Sequence, residues 1–419
     1  MILKSKKELK TSLDRLKRCK GIKYVLGKHR LQDFKDRDMI LKSADVKPDS
    51  IYIKEAKKNK IPIEMSASLF AKLSPATIIG VTGTRGKSTV THMIYEILKS
   101  RAALDKHKGL PFTKRQVFLG GNIKGVSTLA LLSKVKKGNI VVMELDSWQL
   151  QGFGDSKISP HISVFTNLMK DHMNYYKGSM QKYFQDKANI YKYQRKGDFL
   201  ITGKEIAKKI KSKGYPWTDR KFIIPKPLPK SWKLKIAGEH NRENATLAAS
   251  VASAAGVSQR IIKKALENFK SVEGRLQYIK TVHGVKIYND NNATSPDATI
   301  VALKTLGNHL GALPPSEKNI ILIMGGADKG LNTKPLLKKI PKYCKTVIFL
   351  SGSGTEKLKH ESGIKNHDSL FIIPDSKIVQ KEAKSLKSAL NLTMKYSKKG
   401  NIVLFSPAFA SFGMFKNEY

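Results

Sequence analysis

The residues best suited to chemistry lie in a glycine-rich stretch near residue 80. It reads Gly83-Thr84-Arg85-Gly86-Lys87-Ser88-Thr89. Glycines at this spacing let backbone N–H groups close around phosphate oxygens, the lysine can reach the terminal phosphates, and the serine hydroxyl suits magnesium. The stretch therefore predicts a nucleoside-triphosphate site.

This stretch departs from the generic phosphate-loop pattern. That pattern has a glycine five residues before Gly86, where this chain has Val81, and Gly80 lies one residue further out. Glycine-rich turns followed by Lys-Ser also arise by chance and in other proteins. The loop alone thus favours nucleotide binding and leaves the reaction open.

A strand and a helix must hold this loop. The β-branched run that begins at Thr77 favours a strand. Apolar residues after the loop recur at the spacing of an amphipathic helix: Val90, Met93, Ile94, Ile97 and Leu98. The predicted unit is strand, loop, helix.

Length and composition limit the class of protein. The chain has 419 residues, 40% of them hydrophobic, which allows two or three domains with cores of their own. No run of 18 apolar residues and no cleavable leader is evident, so we expect a cytoplasmic protein without a membrane partner. Cys19 and Cys344 lie far apart, which excludes a cysteine-ligated metal site and is typical of a reducing compartment.

The net charge of +45 leaves two interpretations open. It could indicate nucleic-acid binding, but the basic residues are mostly lysines spread along the chain, without an arginine-rich or aromatic-interleaved block. We therefore favour a lysine-rich surface and expect no nucleic-acid partner. The positive electrostatic potential of such a surface would also attract anionic substrates such as nucleotides.

The sequence pattern predicts three domains, at residues 1–75, 76–270 and 271–419. The second and third alternate strands and helices, as in parallel sheets covered on both faces. We expect four strands in the third domain, which would make it Rossmann-like.

The first domain is the least clear from sequence. We predict short strands at Ile22–Gly27 and Met39–Leu41 and a helix between Ser50 and Asn59. No glycine-rich turn opens this domain.

Polar residues follow three apolar runs of the second domain: Asn122, Glu144 and the segment Asn167–His172. Ligands gather at the carboxyl ends of parallel strands, so together these residues predict a site around the loop, although each alone could be a strand-end cap. Glu144 is the natural partner for a magnesium ion held by Ser88. Read alone, His172 is a structural residue and Lys187 a surface lysine.

Two later segments carry further candidates. Asn241 and Asn244 lie three residues apart at the start of an alanine-rich helix, where they could bind a base or a phosphate. In the third domain a strand leads into Asp290–Thr294, and Ser295 followed by Pro296 is typical of a helix start.

In these motifs and in their order, the chain resembles the Mur ligases. The stretches that carry the resemblance are Gly80–Thr89, Gly120–Ile123, Glu144–Leu150, Asn167–His172, Lys187, Gly238–Asn244, Asn289–Thr294, Gly325–Gly330 and Leu404–Phe415. The last contains Ser-Pro-x-x-Ala-Ser-Phe-x-x-Phe and points to the branch of the family that adds D-glutamate.

The resemblance implies an α/β fold of three domains: an N-terminal Rossmann-like domain, incomplete here, a central P-loop ATPase-like parallel sheet and a C-terminal Rossmann-like domain. It implies an ATP-dependent ligase for peptidoglycan precursors. The carboxylate of UDP-N-acetylmuramoyl-L-alanine would attack the γ-phosphate, and D-glutamate would displace phosphate from the acyl phosphate. Such chemistry needs mainly well-placed cations around the phosphates. We expect a monomer with these small-molecule substrates.

The resemblance also implies residue roles. The catalytic residues would be Lys87, His172 and Lys187, the last as a carbamylated lysine. Of two magnesium ions, one would be held by Ser88 and Glu144, the other by His172 and Lys187. Beyond the loop Gly83–Thr89, the implied contacts are Asn244, Arg275 and Asp290 for ATP, Asn122 for the UDP-muramoyl substrate, and Thr294, Lys329, Ser411 and Phe412 for D-glutamate.

Several positions depart from the family pattern. Asp146 replaces a common serine and adds a carboxylate near the metals, Gly274 replaces a histidine before Arg275, and Asn292 replaces a lysine near the γ-phosphate. The opening glycine-rich segment of the family is missing and the chain stops at Tyr419, so we expect truncation at both ends. A sister ligase for another amino acid and a nucleotide-binding remnant without catalysis therefore stay open as alternatives.

Overall fold

The structure is a computed structural model that describes residues 9–10, 13–14, 16–17, 19–44, 46–107, 116–173, 175–212, 221–309, 318–361, 372–373 and 377–410. The chain divides into two compact units. The first comprises Met1–Trp232 with Arg242–Leu266, and the second Lys233–Asn241 with Glu267–Tyr419. The three-domain division at residues 75 and 270 stays a prediction.

The N-terminal part of the first unit contains a small parallel strand pair. β1 (Ile40–Lys42) pairs with β2 (Ile63–Met65), and the helices α1 (Ile51–Lys58) and α2 (Ser66–Leu73) flank β2 in the chain. The helix predicted between Ser50 and Asn59 is confirmed, with those two residues as its caps. The predicted strand at Ile22–Gly27 is wrong: the segment is irregular and exposed, and no strand among the described residues pairs with it.

A six-stranded parallel sheet forms the centre of the first unit. Its strand order is β4-β5-β3-β6-β7-β8. The strands are β3 (Thr77–Thr82), β4 (Val117–Gly121), β5 (Ile140–Glu144), β6 (Ile162–Phe165), β7 (Phe199–Thr202) and β8 (Lys221–Ile223). β3 is central because the chain adds β4 and β5 on one side of it and β6 to β8 on the other.

Helices surround this sheet. Between residues 87 and 268 they are α3 (Lys87–His107), α4 (Ser147–Asp155), α5 (Met180–Lys192), α6 (Lys204–Lys211), α7 (Glu239–Ala254) and α8 (Gln259–Asn268). One face of the sheet packs Ile78, Met143 and Phe165 against apolar residues of α2, α4, α5 and α6. Ile79 and Val81 alternate to the opposite face and are also fully buried, so the sheet is covered on both sides.

The second unit contains another six-stranded sheet, with the order β13-β12-β11-β14-β10-β9. Its strands are β9 (Gln277–Val282), β10 (Val285–Asn289), β11 (Ile320–Gly325), β12 (Cys344–Leu350), β13 (Val379–Ala383) and β14 (Ile402–Phe405). The pairing is parallel except for β9, which runs antiparallel to β10 at the edge. The four predicted strands are present, and the prediction missed the two edge strands, whose exposed and charged residues hide the apolar pattern.

The core of the second unit shows the period of two expected for strands. Ile320, Leu322 and Met324 of β11 pack into one apolar cluster, whereas Ile321 and Ile323 pack into another on the opposite face. The helices are α9 (Pro296–His309), α10 (Lys334–Tyr343), α11 (Ser353–Glu361) and α12 (Leu386–Tyr396). Within the described ranges, none of the helices combines the length and the apolar composition needed to cross a membrane.

Candidate active site

The glycine-rich loop lies at the carboxyl end of β3, between β5 and β6. The register places Val81 beside Glu144 on one side and Thr82 beside Phe165 on the other. The chain order reverses across β3, which makes this edge of the sheet a topological switch point, the usual place for a ligand in an open α/β sheet.

Two glycines let the loop approach its neighbours closely. Gly83 has φ +141° and Gly86 has φ +81°, conformations that side chains disfavour. A Cβ at position 83 would also collide with Thr166 Oγ1, and one at position 86 with Asn244 Oδ1. The glycines predicted from the phosphate-loop pattern are therefore required by the fold itself.

The segment after β6 holds the loop in place. Asn167 accepts the N–H of Thr84 through its backbone oxygen (2.9 Å) and the N–H of Arg85 through Oδ1 (2.9 Å). The Thr84 hydroxyl accepts the N–H of Met169 (2.9 Å). The first turn of α3 then presents its backbone amides at the positive end of the helix dipole, which suits it to bind phosphate.

The predicted phosphate-contacting side chains begin α3. Lys87 is half-buried, and its ammonium donates to the Thr84 carbonyl (3.0 Å). Ser88 and Thr89 are buried in the same helical turn. The lysine and the serine hydroxyl thus lie in the turn that the glycines shape.

Lys187 of α5 is buried in this site, with only 1% of its surface exposed. Its amine donates to the carbonyl of Gly83 (2.8 Å) and lies 3.4 Å from Thr82 Oγ1. Burial first, and the Lys87 ammonium second, lower the pKa of Lys187 well below its ordinary value. The nearby carboxylates oppose this shift: Asp146, Asp171 and Glu144. Lys187 is therefore not the surface residue that composition alone would suggest.

Glu144 ends β5 and is 4% exposed. Its backbone oxygen accepts the N–H of Asn122 (2.8 Å), so Asn122, which is exposed, adjoins it at the end of β4. Asp146 caps α4: its Oδ1 accepts the N–H of Gln149 (2.7 Å), and Gln149 Oε1 accepts the N–H of Asp146 (3.2 Å). The unexpected carboxylate at position 146 thus completes a capping box.

His172 adopts a left-handed backbone with φ +53°. Its N–H donates to Asp171 Oδ1 (2.9 Å), and its ring packs on the Trp148 indole with centroids 4.9 Å apart. The Tyr183 ring lies 6.4 Å from the imidazole and 4.8 Å below the Lys187 amine. His172 and Lys187 therefore share an aromatic neighbour.

The donor set fits magnesium in part. Among the described residues, no three His, Cys, Asp or Glu side chains could hold a metal together. Magnesium usually takes one or two carboxylates and completes its shell with water and substrate phosphates, so the buried Glu144 carboxylate and the Ser88 hydroxyl suit it. An ammonium cannot bind magnesium. Lys187 would therefore suit the ion only as its carbamate, which is an anion.

Asn244 and Asn241 have separate environments. Asn244 is 7% exposed and lies against Gly86 of the loop. Asn241 Nδ2 donates to the Ala237 carbonyl (2.7 Å) and so stabilises the start of its own helix.

In the second unit, Asp290 binds two loops together. Its Oδ1 accepts the N–H of Leu276 (2.9 Å) and its Oδ2 accepts the Ser406 hydroxyl (2.9 Å). Arg275 lies next to this junction in the chain. Asn292 donates from Nδ2 to the Glu273 carbonyl (3.1 Å) and from N to the Gly274 carbonyl (3.0 Å), so it connects its own loop to the segment before Arg275.

Two of the residues predicted to receive D-glutamate lie together. Lys329 Nζ donates to Thr294 Oγ1 (3.0 Å), and the lysine is exposed. Ser411 and Phe412 lie outside the described residues. The roles of Thr294, Lys329 and the ATP-contacting residues stay predictions.

Sequence analysis missed Tyr183, whose hydroxyl lies 3.3 Å from Thr84 Oγ1. Burial raises its pKa, so the hydroxyl stays neutral. The four-residue spacing to Lys187 on one helix face was the available signal. It also missed the side chains of Gln151, Tyr176 and Asp186, for which the sequence carries no local signal.

A parallel sheet with a glycine-rich loop at its switch point and a buried lysine that donates to that loop defines a nucleotide-binding α/β protein. Comparisons with known proteins give the family. Residues 81–224 match the Mur ligase middle domain, and residues 274–409 match the Mur ligase glutamate ligase domain.

Relatives match over the whole chain. A UDP-N-acetylmuramoylalanine–D-glutamate ligase of Borreliella burgdorferi (strain ZS7) is 34% identical, and the match covers 100% of this chain and 88% of that protein. The enzyme of the same name from Roseiflexus sp. (strain RS-1) is 30% identical, and the match covers 100% of this chain and 89% of that protein. The chain belongs to the Mur ligase family.

Solved structures confirm the fold class. The MurF ligase from Thermotoga maritima in complex with ADP has a TM-score of 0.57 and 18% identity, covering 86% of this chain and 88% of that one. The UDP-N-acetylmuramate-alanine ligase from the same organism has a TM-score of 0.57 and 20% identity, covering 91% and 84%. These structures confirm the predicted α/β Mur ligase fold. The family match and the named relatives confirm the predicted enzyme class, an ATP-dependent ligase.

Proposed function

We propose that this ligase joins D-glutamate to the carboxylate of UDP-N-acetylmuramoyl-L-alanine and converts ATP to ADP and phosphate. Relatives that match this chain over its whole length, at 30–34% identity, are named UDP-N-acetylmuramoylalanine–D-glutamate ligase. The structural observation that supports it most is the charged centre around the loop, where Lys87 and Lys187 contact the same loop backbone.

The chemistry divides between the residues of this centre. A carboxylate oxygen of the substrate attacks the γ-phosphorus and ADP departs, and then the amine attacks the acyl carbon and phosphate departs. Lys87 and the first turn of α3 stabilise the negative charge that spreads over the transferring phosphoryl group. Ser88 and Glu144 would hold magnesium, with His172 and Lys187 at a second ion. Magnesium neutralises phosphate charge when bound.

Lys187 is suited to carbamylation. A neutral amine attacks CO₂ and loses a proton, and the lowered pKa of Lys187 favours the neutral amine. The product is an anionic oxygen ligand. A ¹³C resonance of a carbamate after exposure to labelled bicarbonate, absent in Lys187→Arg, is expected; its absence from the wild type would refute the modification.

In this scheme, Asn244, Arg275 and Asp290 contact ATP, Asn122 contacts the UDP-muramoyl substrate, and Thr294 and Lys329 receive D-glutamate. The exposed Lys329 ammonium has the charge that a dicarboxylate acceptor requires. We also place the enzyme in the cytoplasm as a monomer, which cell fractionation and sedimentation velocity would test.

The decisive experiment is phosphate release by the purified protein. We expect release only when ATP, Mg²⁺, UDP-N-acetylmuramoyl-L-alanine and D-glutamate are all present. Release with a different amino acid would identify a sister ligase. ATP binding by calorimetry without release, from folded protein, would identify a nucleotide-binding remnant.

A further inference from the structure

A half-buried polar network joins α4, α5 and the loop that carries His172. Asp186 Oδ2 accepts Gln151 Nε2 (2.8 Å) from α4 and the Tyr176 hydroxyl (2.9 Å) from the loop. Gln151 Nε2 also donates to the Tyr175 hydroxyl (3.1 Å). A single carboxylate therefore connects three separate parts of the chain.

Each of these parts carries a candidate for the active centre. α4 follows Glu144 directly, the loop contains His172, and Asp186 precedes Lys187 on α5. None of these segments contacts another through backbone strand pairing, because two are helices and one is irregular. Packing and hydrogen bonds between side chains therefore contribute to their relative positions.

Aromatic packing extends the network to His172. The Trp148 ring packs on His172 (4.9 Å) and on Tyr175 (5.4 Å). Tyr176 then packs on Tyr175 (4.9 Å) and on Tyr183 (5.1 Å), the residue beneath the Lys187 amine. A displacement of Tyr176 would thus reach both His172 and Lys187.

We propose that Asp186 is a positioning residue for the ligase reaction, because its contacts with Tyr176 and Gln151 fix His172 relative to Lys187. This inference rests on the proposed function. Its Oδ2 accepts hydrogen bonds from α4 and from the loop at the same time, which suits Asp186 to this task. Residues one step behind the reacting groups commonly change activity by 10- to 100-fold when they are replaced.

The test compares three variants. Asp186→Leu removes the acceptor but keeps an apolar side chain, and Asp186→Asn keeps an acceptor oxygen. Gln194→Leu is the matched control. The Gln194 amide donates to the carbonyls of Pro160 (3.1 Å) and Phe199 (2.9 Å) at the amino ends of β6 and β7, whereas the glycine-rich loop lies at the carboxyl end of the sheet.

In Asp186→Leu, we expect kcat to fall by about 10- to 100-fold while KM for ATP changes by less than about threefold. Asp186→Asn should recover kcat to within about fivefold of the wild type. Gln194→Leu should lower Tm, and at temperatures below that Tm its kcat should equal that of the wild type. If Asp186→Leu does not fold, Tyr176→Phe tests the same hydrogen bond and should lower kcat in the same direction.

Hydrogen exchange supplies a readout that does not depend on turnover. The amides of Tyr175 and Tyr176 donate to the His172 carbonyl (3.0 and 3.1 Å), and that of Gly178 donates to Met173 (2.8 Å). We expect these amides to exchange faster in Asp186→Leu and at the wild-type rate in Gln194→Leu. If Asp186→Leu matches Gln194→Leu in both kcat and exchange, the inference is overturned. If the wild type releases no phosphate, the proposed function is overturned; faster exchange in Asp186→Leu would then still support the role of Asp186 in positioning the His172 loop.

Discussion

The two units place their candidate lysines Lys187 and Lys329 in opposite environments. In the first, Lys187 and Glu144 are almost fully buried, and the lysine donates directly to the glycine-rich loop. In the second, Lys329 is exposed, and the buried carboxylate Asp290 is bonded to the backbone of Leu276 and the hydroxyl of Ser406.

This contrast shows in which unit the same side chains both stabilise the fold and take part in the proposed chemistry. Replacing a buried residue of the first unit alters the loop geometry and the electrostatics together. In the second unit the two tasks are divided, because Asp290 holds the loops while Lys329 is accessible. The following experiments, from the largest expected effect to the smallest, test that division.

Lys87→Met should have the largest effect. We expect kcat to fall on the order of 10²- to 10³-fold, since one charge that stabilises the phosphoryl group is lost. The free energy of unfolding should change little, because the side chain is only half-buried. Phosphate-release kinetics and urea unfolding measure the two effects, with exposed Lys137→Met as the control. A normal kcat in Lys87→Met would contradict the loop assignment.

Gly83→Ala should destabilise the first unit. The added Cβ meets Thr166 Oγ1 at a backbone φ of +141°, and we expect a loss of about 2 to 4 kcal/mol. Gly178→Ala is the matched control, because that glycine also has a positive φ (+78°) but has open space around it. Equal losses in the two variants by urea unfolding would show that close packing of the loop contributes nothing.

Asp290→Ala should destabilise the second unit by about 2 to 3 kcal/mol, because two donors lose their acceptor in a buried place. Lys329→Met in the same unit should change the free energy of unfolding by less than about 0.5 kcal/mol. It should instead raise KM for D-glutamate. If Lys329→Met destabilised the protein as much as Asp290→Ala, the proposed division of tasks would be wrong.

Lys187 should make stability depend on pH. Its pKa is low in the folded protein and near 10.5 in the unfolded chain, so the unfolded chain binds more protons between those values. The free energy of unfolding should therefore rise with pH across that window, by at most about 1.4 kcal/mol per pH unit, and be lost as pH falls toward the folded pKa. Urea unfolding between pH 7 and 10 should show this slope in the wild type and in Lys182→Met, and a reduced slope in Lys187→Met. Parallel curves for all three would exclude a neutral Lys187.

Local signals were enough for much of the first site. The strand, loop and helix around Gly83 were predicted because glycine conformation and apolar spacing are properties of adjacent residues. The capping role of Asp146 was not predicted, although Asp-x-x-Gln is a local capping pattern. The strand predicted at Ile22–Gly27 failed because a β-branched run forms a strand only beside a partner.

Distant contacts had no such signal. Asp186 and Gln151 are 35 residues apart, and nothing in either segment marks the other as its partner. That the ends of β5 and β6 meet at the loop was predicted from the general rule for parallel sheets, whereas the strand order β5-β3-β6 came only from the structure.

The sequence by itself determined the local elements, the glycine positions and the family to which the chain belongs. Tertiary structure alone decided that Lys187 is a buried amine against Gly83, that Asp290 holds two loops, and that Asp186 connects three segments. The physical reason is range: backbone preferences and side-chain periodicity act between neighbours in the chain, whereas burial and charge at a site depend on which distant elements pack around it.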